Sequence, residues 1–244
     1  MTTTVILTRP ECDSLRLASR FKSLNIRTVV FPLLKIQELS VGEPLTAPKL
    51  KQGTTVVFIS ANAVRYGMPY LTEQLGSGIL PIFIAVGART QAELAKWGHL
   101  ADRPIRSDSE GLLDMEVFSN LHHAEVVIVK GLGGRDVLAK ELVARGAHVQ
   151  EWSCYRRYWP ELNLNTLKMV EGARIIQASS GETIERLSGL LASAWMTDLY
   201  QYPVVVPSKR VADRAKALGW RYPVCAKDAG DDAFIESVSS LLGA

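Results

Sequence analysis

Val126-Val127-Ile128-Val129-Lys130-Gly131-Leu132-Gly133-Gly134-Arg135-Asp136 reads as a strand that breaks into a glycine-rich turn and enters a helix. The apolar run shows no polar alternation, so its strand is covered on both faces, as in a parallel sheet. The helix runs over 135–145 and stops at Gly146, where glycine can take the left-handed conformation of a helix end. The turn is not a Walker A loop, because GxxxxGK[ST] is absent. Nor is it a full dinucleotide fingerprint: counted from Gly131, the third glycine position is held by Asp136. What remains is a tight strand-to-helix turn whose free amides, together with Lys130, suit an anion such as a carboxylate.

The same alternation runs outward in both directions. Val5–Leu7, Arg27–Phe31, Val56–Ile59, Ile82–Val86, Arg174–Ala178 and Pro203–Val206 read as strands. Asp13–Leu24, with Asn25 as its cap, Ala61–Leu75 and Thr90–Trp97, ending at Gly98, read as helices. Strands alternating with helices predict an α/β chain with parallel sheets covered on both faces. Three segments recur at offsets of 119 to 121 residues. Val5-Ile6-Leu7-Thr8-Arg9 resembles Val126-Val127-Ile128-Val129-Lys130, and Phe58-Ile59-Ser60-Ala61-Asn62 resembles Gln177-Ala178-Ser179-Ser180-Gly181. Val86-Gly87-Ala88-Arg89-Thr90 resembles Val206-Pro207-Ser208-Lys209-Arg210. One repeat of this size implies two similar α/β units.

The chain has 244 residues, 47% of them apolar and 22% charged, enough for one large domain or two small ones. Its net charge of +3 does not by itself point to nucleic acid. Cys12, Cys154 and Cys225 are odd in number and form no CxxC, which fits reduced thiols in a cytoplasmic protein. His99, His122, His123 and His148 show no ligand spacing, so no metal site is expected. The N-terminus shows no signal-peptide pattern, and no apolar run is long enough to span a membrane.

Each repeated position follows a strand and precedes a helix, the edge where open parallel sheets bind ligands. Ser60, Asn62, Gly87, Thr90, Lys130, Gly131, Arg135, Ser179, Ser180, Gly181, Ser208 and Arg210 lie on these turns, and Arg9 closes the first strand. Helix capping is the ordinary role for any single Ser or Asn here; matched pairs in two units imply a large polyanionic ligand. Tyr155, in Tyr155-Arg156-Arg157, reads from its residues alone as a half-buried strand aromatic. A phenol between two lobes would also suit proton donation.

Taken in order, these motifs resemble the uroporphyrinogen-III synthase family across nearly the whole chain. The resemblance rests on Thr8-Arg9-Pro10, Phe58-Ile59-Ser60-Ala61-Asn62-Ala63-Val64, Val86-Gly87-Ala88-Arg89-Thr90 and Lys130-Gly131-Leu132-Gly133-Gly134-Arg135. It continues through Arg145-Gly146-Ala147, Tyr155-Arg156-Arg157, Ser179-Ser180-Gly181 and Val206-Pro207-Ser208. It implies two flavodoxin-like parallel-sheet domains joined by a two-stranded connector, with a cleft between them. The implied domains are residues 1–36 plus 157–244, and 37–156. Leu33–Gln37 and Cys154–Tyr158 are then the crossing strands.

The family's reaction closes hydroxymethylbilane, a linear tetrapyrrole bearing acetate and propionate chains, to uroporphyrinogen III with loss of water and inversion of ring D. The resemblance therefore implies a cofactor-free, cytoplasmic lyase of heme, siroheme or cobalamin-type biosynthesis, acting as a monomer. It implies no nucleic-acid or membrane partner, and a transient contact with the upstream bilane synthase is a further expectation. Tyr155 becomes the candidate proton donor near the leaving hydroxyl, and Arg9, Lys130 and Arg135 become candidate carboxylate contacts. Gln177-Ala178 stands where a more apolar pair is common in the family, so that strand end is expected to pack differently. Glu182 stands where a small apolar residue is usual. Competing readings are a non-catalytic two-lobed binding protein for a polyanion and a nucleotide-sugar transferase, although no nucleotide motif supports the latter.

Overall fold

The computed structural model describes residues 3–39, 47–134, 136–162 and 174–243. In chain order the first elements are β1 (Thr4–Leu7), α1 (Glu11–Ser23), β2 (Arg27–Val30), β3 (Lys35–Glu38), β4 (Thr55–Phe58) and α2 (Ala61–Leu75). Next come β5 (Ile82–Ala85), α3 (Ala88–Ala95), α4 (Ser109–Leu113), β6 (Glu125–Gly131), α5 (Val137–Ala144) and β7 (His148–Tyr158). The chain ends with β8 (Ile175–Gln177), α6 (Gly181–Ser193), β9 (Pro203–Val206), α7 (Lys209–Ala217), β10 (Tyr222–Cys225) and α8 (Asp231–Leu242).

Two compact units result. One joins Met1–Lys35 to Tyr158–Ala244, and the other is Ile36–Arg157. The first is discontinuous because β1 pairs on one side with β2 and on the other with β8, placing Val5 between Thr28 and Ile175. Its sheet runs β10-β9-β8-β1-β2. Counted within the unit this is the 2-1-3-4-5 order of a flavodoxin-like sheet. In the second unit the order is β3-β7-β6-β4-β5. Four strands there repeat the 2-1-3-4 pattern. The fifth place is taken by β3, from the stretch that enters the unit, and Leu39 donates to the Cys154 carbonyl at 3.1 Å.

Burial explains why the strands were readable. All four residues of β4 are buried, as are Val126–Lys130 of β6. In the first unit Ile6, Ile176, Val204 and Val206 pack on one face with α6, α7 and Trp220. Val5, Leu7, Ile175 and Val205 pack on the other with Leu17, Phe21 and Phe234. In the second unit Val56, Phe58, Val127 and Val129 meet α2, while Val57, Val126 and Ile128 meet Leu112, Leu138 and Leu142. Alternate residues of one strand thus serve two cores.

Helix boundaries differ from the sequence expectation by a few residues. Helix α1 begins at Glu11 because the Pro10 carbonyl already accepts from Asp13 and Ser14. Helix α3 begins at Ala88, directly after Gly87, rather than at Thr90. Asn25 takes φ 56° just past the end of α1, and Gly98 and Gly146 take φ 80° and 94° after their helices. Strand β7 is eleven residues long, and only its last five, Cys154–Tyr158, were anticipated. Its first half is partly exposed and polar, which hides it from a search for continuous apolar runs.

Candidate functional site

Ligand edges of open α/β sheets lie beyond the carboxyl ends of the strands, where neighbouring connections leave in opposite directions. In the Ile36–Arg157 unit that point lies between β4 and β6, at Ser60 and Gly131. Ser60 is the N-cap of α2; its Oγ accepts from the Ala63 amide at 3.0 Å. The same Oγ lies 3.0 Å from the Tyr155 hydroxyl. Tyr155 reaches Ser60 through a β-bulge. Lys130 pairs with Ser153, but the next residue of β6, Gly131, pairs with Tyr155. The extra residue in β7 turns Tyr155 toward the core that Trp152 and Cys154 also enter. Strict alternation would have sent it to the opposite face.

Gly131 makes that position habitable. A methyl group there would stand 2.6–2.7 Å from Cζ and Cε2 of the Tyr155 ring. The Tyr66 ring lies beside it, at 5.9 Å between centroids. Gly131→Ala is therefore expected to cost about 1–3 kcal/mol by overpacking. Urea unfolding checks this, and most of the loss should return when Tyr155→Leu is added to clear the space. Cys154, next to Tyr155, lies against the Ala63 and Lys130 carbonyls at 3.6 and 3.7 Å. Burial pushes its thiol up to about 12.

The other candidates of this unit separate from Tyr155. Lys130 faces the opposite side of the sheet, among Ile59, Val86, Ile128 and Leu138 at a cavity of about 230 Å³. It is 5% exposed, and its Nζ donates to Glu151 at 2.9 and 3.3 Å, with Asp136 at 3.6 Å. Lys130 was expected to meet a ligand carboxylate; instead its ammonium is held by the internal carboxylate of Glu151. Gly87 is buried beneath Ser107, whose Oγ lies 2.6 Å from where a Cβ would stand. Thr90 is buried in the first turn of α3. Asn62 sits in the first turn of α2, with its Oδ1 3.4 Å from an Arg65 nitrogen. Arg135 lies outside the described residues.

In the other unit the corresponding edge carries two capped helices. Ser180 caps α6, accepting from the Thr183 amide at 3.1 Å, and Ser208 caps α7, accepting from Val211 at 3.4 Å. Ser179 lies 3.5 Å from the Thr183 hydroxyl. Gly181 has open space where a side chain would be, and Arg210 is exposed. Glu182 is exposed in the first turn of α6.

Arg9 is the second correction. It is 6% exposed and donates to Asp231 at 2.5 Å and to the Ala229 carbonyl at 2.6 Å, with its guanidinium 4.6 Å from the Phe234 ring centre. Arg16 also holds Asp231, at 2.7 and 3.1 Å. Burial alone would raise the Asp231 carboxyl; hydrogen bonds and charge from Arg16 and Arg9 outweigh it and hold the group below its usual range. The cation expected to meet a ligand instead ties the start of α8 to the end of β1.

Gln177 is a strand-end residue that sequence reasoning treated only as a departure. Its Oε1 accepts from the Thr8 amide at 3.1 Å, and its carbonyl accepts from the Thr8 hydroxyl at 2.7 Å. Its Nε2 is buried and has no hydrogen-bond partner among the described residues. Among those residues, too, no group of three His, Cys, Asp or Glu could hold a metal ion, and no helix is long and apolar enough to cross a membrane.

Comparison with known proteins adds names to this geometry. A family model described as uroporphyrinogen-III synthase HemD matches residues 16–236. The chain is 28% identical over 247 residues to the uroporphyrinogen-III synthase of Salmonella typhimurium, covering 96% of this chain and 99% of that one. It is also 28% identical over 250 residues to the uroporphyrinogen-III synthase of Escherichia coli K12, with the same coverage. Among solved structures, uroporphyrinogen-III synthetase from Helicobacter pylori aligns over 99% of this chain and 100% of its own, with a TM-score of 0.60 and 16% identity. A mutant uroporphyrinogen III synthase from the extremely thermophilic bacterium Thermus thermophilus aligns over the same shares, with a TM-score of 0.56 and 15% identity. At these identities the solved structures speak for the fold.

Proposed function

The chain belongs to the uroporphyrinogen-III synthase family, and from that membership we propose that it converts hydroxymethylbilane to uroporphyrinogen III in the cytoplasm, with Tyr155 as proton donor. The observation that carries the mechanistic part is the Tyr155 hydroxyl held 3.0 Å from Ser60 at the switch point of a parallel sheet. The Tyr155 phenol carries a proton that it can donate to the bilane's hydroxymethyl oxygen as it leaves as water. The azafulvene cation that results is attacked by the substituted α-carbon of ring D, giving a spiro intermediate. The older bond from that carbon to the ring C methylene then breaks, this methylene is recaptured by the free α-carbon of ring D so that the ring is inverted, and the proton lost on rearomatisation restores the phenol.

Ring closure without inversion is the spontaneous course, so selectivity requires holding ring D rather than strong acid–base groups. The N-termini of α2, α3, α6 and α7 suit the acetate and propionate carboxylates, because each leaves amide N–H groups and a partial positive charge at a strand edge. Asn62, Gly87, Thr90, Gly131, Ser179, Ser180, Gly181, Ser208 and Arg210 mark those turns, whereas Ser60 caps α2 and meets Tyr155. Arg9 and Lys130 are left out of the contact set because internal carboxylates hold them. A transient contact with the upstream bilane synthase would shorten the exposure of the reactive bilane and belongs to the same proposal.

The decisive experiment supplies fresh hydroxymethylbilane, oxidises the products and separates the isomers by chromatography. The type III isomer is expected to dominate. Type I as the sole product would overturn the reading.

A further inference from the structure

The geometry points to Ser60 as a positioning residue that acts through Tyr155 and stabilises its phenolate after proton donation. This deepens the synthase reading and rests on it. Three observations fix the phenol. Gly131 supports one side of the ring, the Tyr66 ring lies beside it, and the bulge in β7 sets its direction. Once these are set, the main freedom left at the reacting group is rotation of the hydroxyl hydrogen, and Ser60 Oγ is the partner that the hydroxyl meets.

Ser60 is itself held. Its backbone is extended, with φ −167° and ψ 159°, and one lone pair of Oγ accepts the Ala63 amide. One lone pair and one proton remain for Tyr155. While the phenol is protonated it can donate to that lone pair. When the phenol gives up its proton, the Ser60 hydroxyl turns and donates to the phenolate. A hydrogen bond to an ionised acceptor is stronger than a neutral one, so the contact tightens as charge develops. The phenolate also faces the positive end of the fifteen-residue helix α2. No cation is needed, which agrees with Lys130 lying on the opposite face.

The test is a double-mutant cycle on turnover with hydroxymethylbilane. Ser60→Ala is expected to lower kcat about tenfold, the range in which charge-assisted hydrogen bonds operate, with KM changed less than twofold. Ser60→Thr, which keeps both hydroxyl and cap, should recover most of that loss. In a Tyr155→Phe background, Ser60→Ala should have no further effect. An equal loss in both backgrounds would overturn the inference, as would a raised KM with unchanged kcat, which would place Ser60 on the substrate. If Ser60→Ala unfolds for want of its cap, Ser60→Asp carries the same cycle, because it caps Ala63 and has no proton to give. Failure of the synthase reading has a separate signature: the wild-type chain would then yield no type III isomer.

Discussion

Tyr155→Phe should lower kcat about a hundredfold, the lower end of what a positioned general acid contributes. The variant keeps the ring that packs between Gly131 and Tyr66 and removes only the hydroxyl facing Ser60. The thermal midpoint should barely move, because Ser60 retains its Ala63 amide and its half-exposed position lets water replace the phenol. Stopped-time assays with isomer separation check both parts. Formation of type III at the wild-type rate would remove the phenol from the reaction. A fall in the total porphyrinogen rate with spontaneous type I taking over is the expected pattern.

Asp231→Ala should be the most damaging change for stability. It leaves the Arg9 guanidinium, 7% exposed, without its carboxylate inside the first unit. Removing one partner of a buried ion pair costs about 3–5 kcal/mol, a large share of the roughly 5–15 kcal/mol that typically holds a domain together. Replacing both partners by apolar residues of similar size, as in Arg9→Met with Asp231→Leu, should recover much of the loss, because no charge is then stranded.

The same pair sets an acid dependence. The Asp231 carboxyl sits below its ordinary 3.8 in the folded chain. Its contribution is therefore fully present above the ordinary value and is lost as pH falls through the depressed one. Urea midpoints measured from about pH 6 downward should show a decline at the acid end that is weaker in Asp231→Asn. Identical acid slopes in the two proteins would contradict the assignment.

What the sequence discloses and what it hides follow from how far each signal reaches. Val56–Phe58 and Val126–Val129 were legible because strands buried on both faces need no polar residues. Asn25, Gly98 and Gly146 were legible because helix ends demand left-handed conformations that few residues accept. Arg9 was misread because its partner lies 222 residues away, and nothing local announces Asp231. Lys130 was misread for the same reason at shorter range, since Glu151 arrives from the neighbouring strand.

The bulge that aims Tyr155 at Ser60 is a matter of hydrogen-bond register, and side-chain pattern carries no trace of it. Alternation alone sets Tyr155 on the face of Ser153. The resemblance named the residue, and the backbone irregularity supplies the reason it faces Ser60. Gln177 shows the converse. The sequence marks it as a departure at a strand end, and it is buried there with one donor unmet among the described residues.

The buried Cys154 thiol gives the chain a built-in reporter. Cys12 and Cys225 are exposed and both belong to the discontinuous unit, whereas Cys154 is enclosed in the continuous one with its ionisation pushed up to about 12. Thiolates attack alkylating reagents, so the outer two sulfurs react first and the third waits for its surroundings to open. Counting modified sulfurs over time by mass spectrometry thus clocks the breathing of the tyrosine-bearing half in the unaltered protein, without an introduced label.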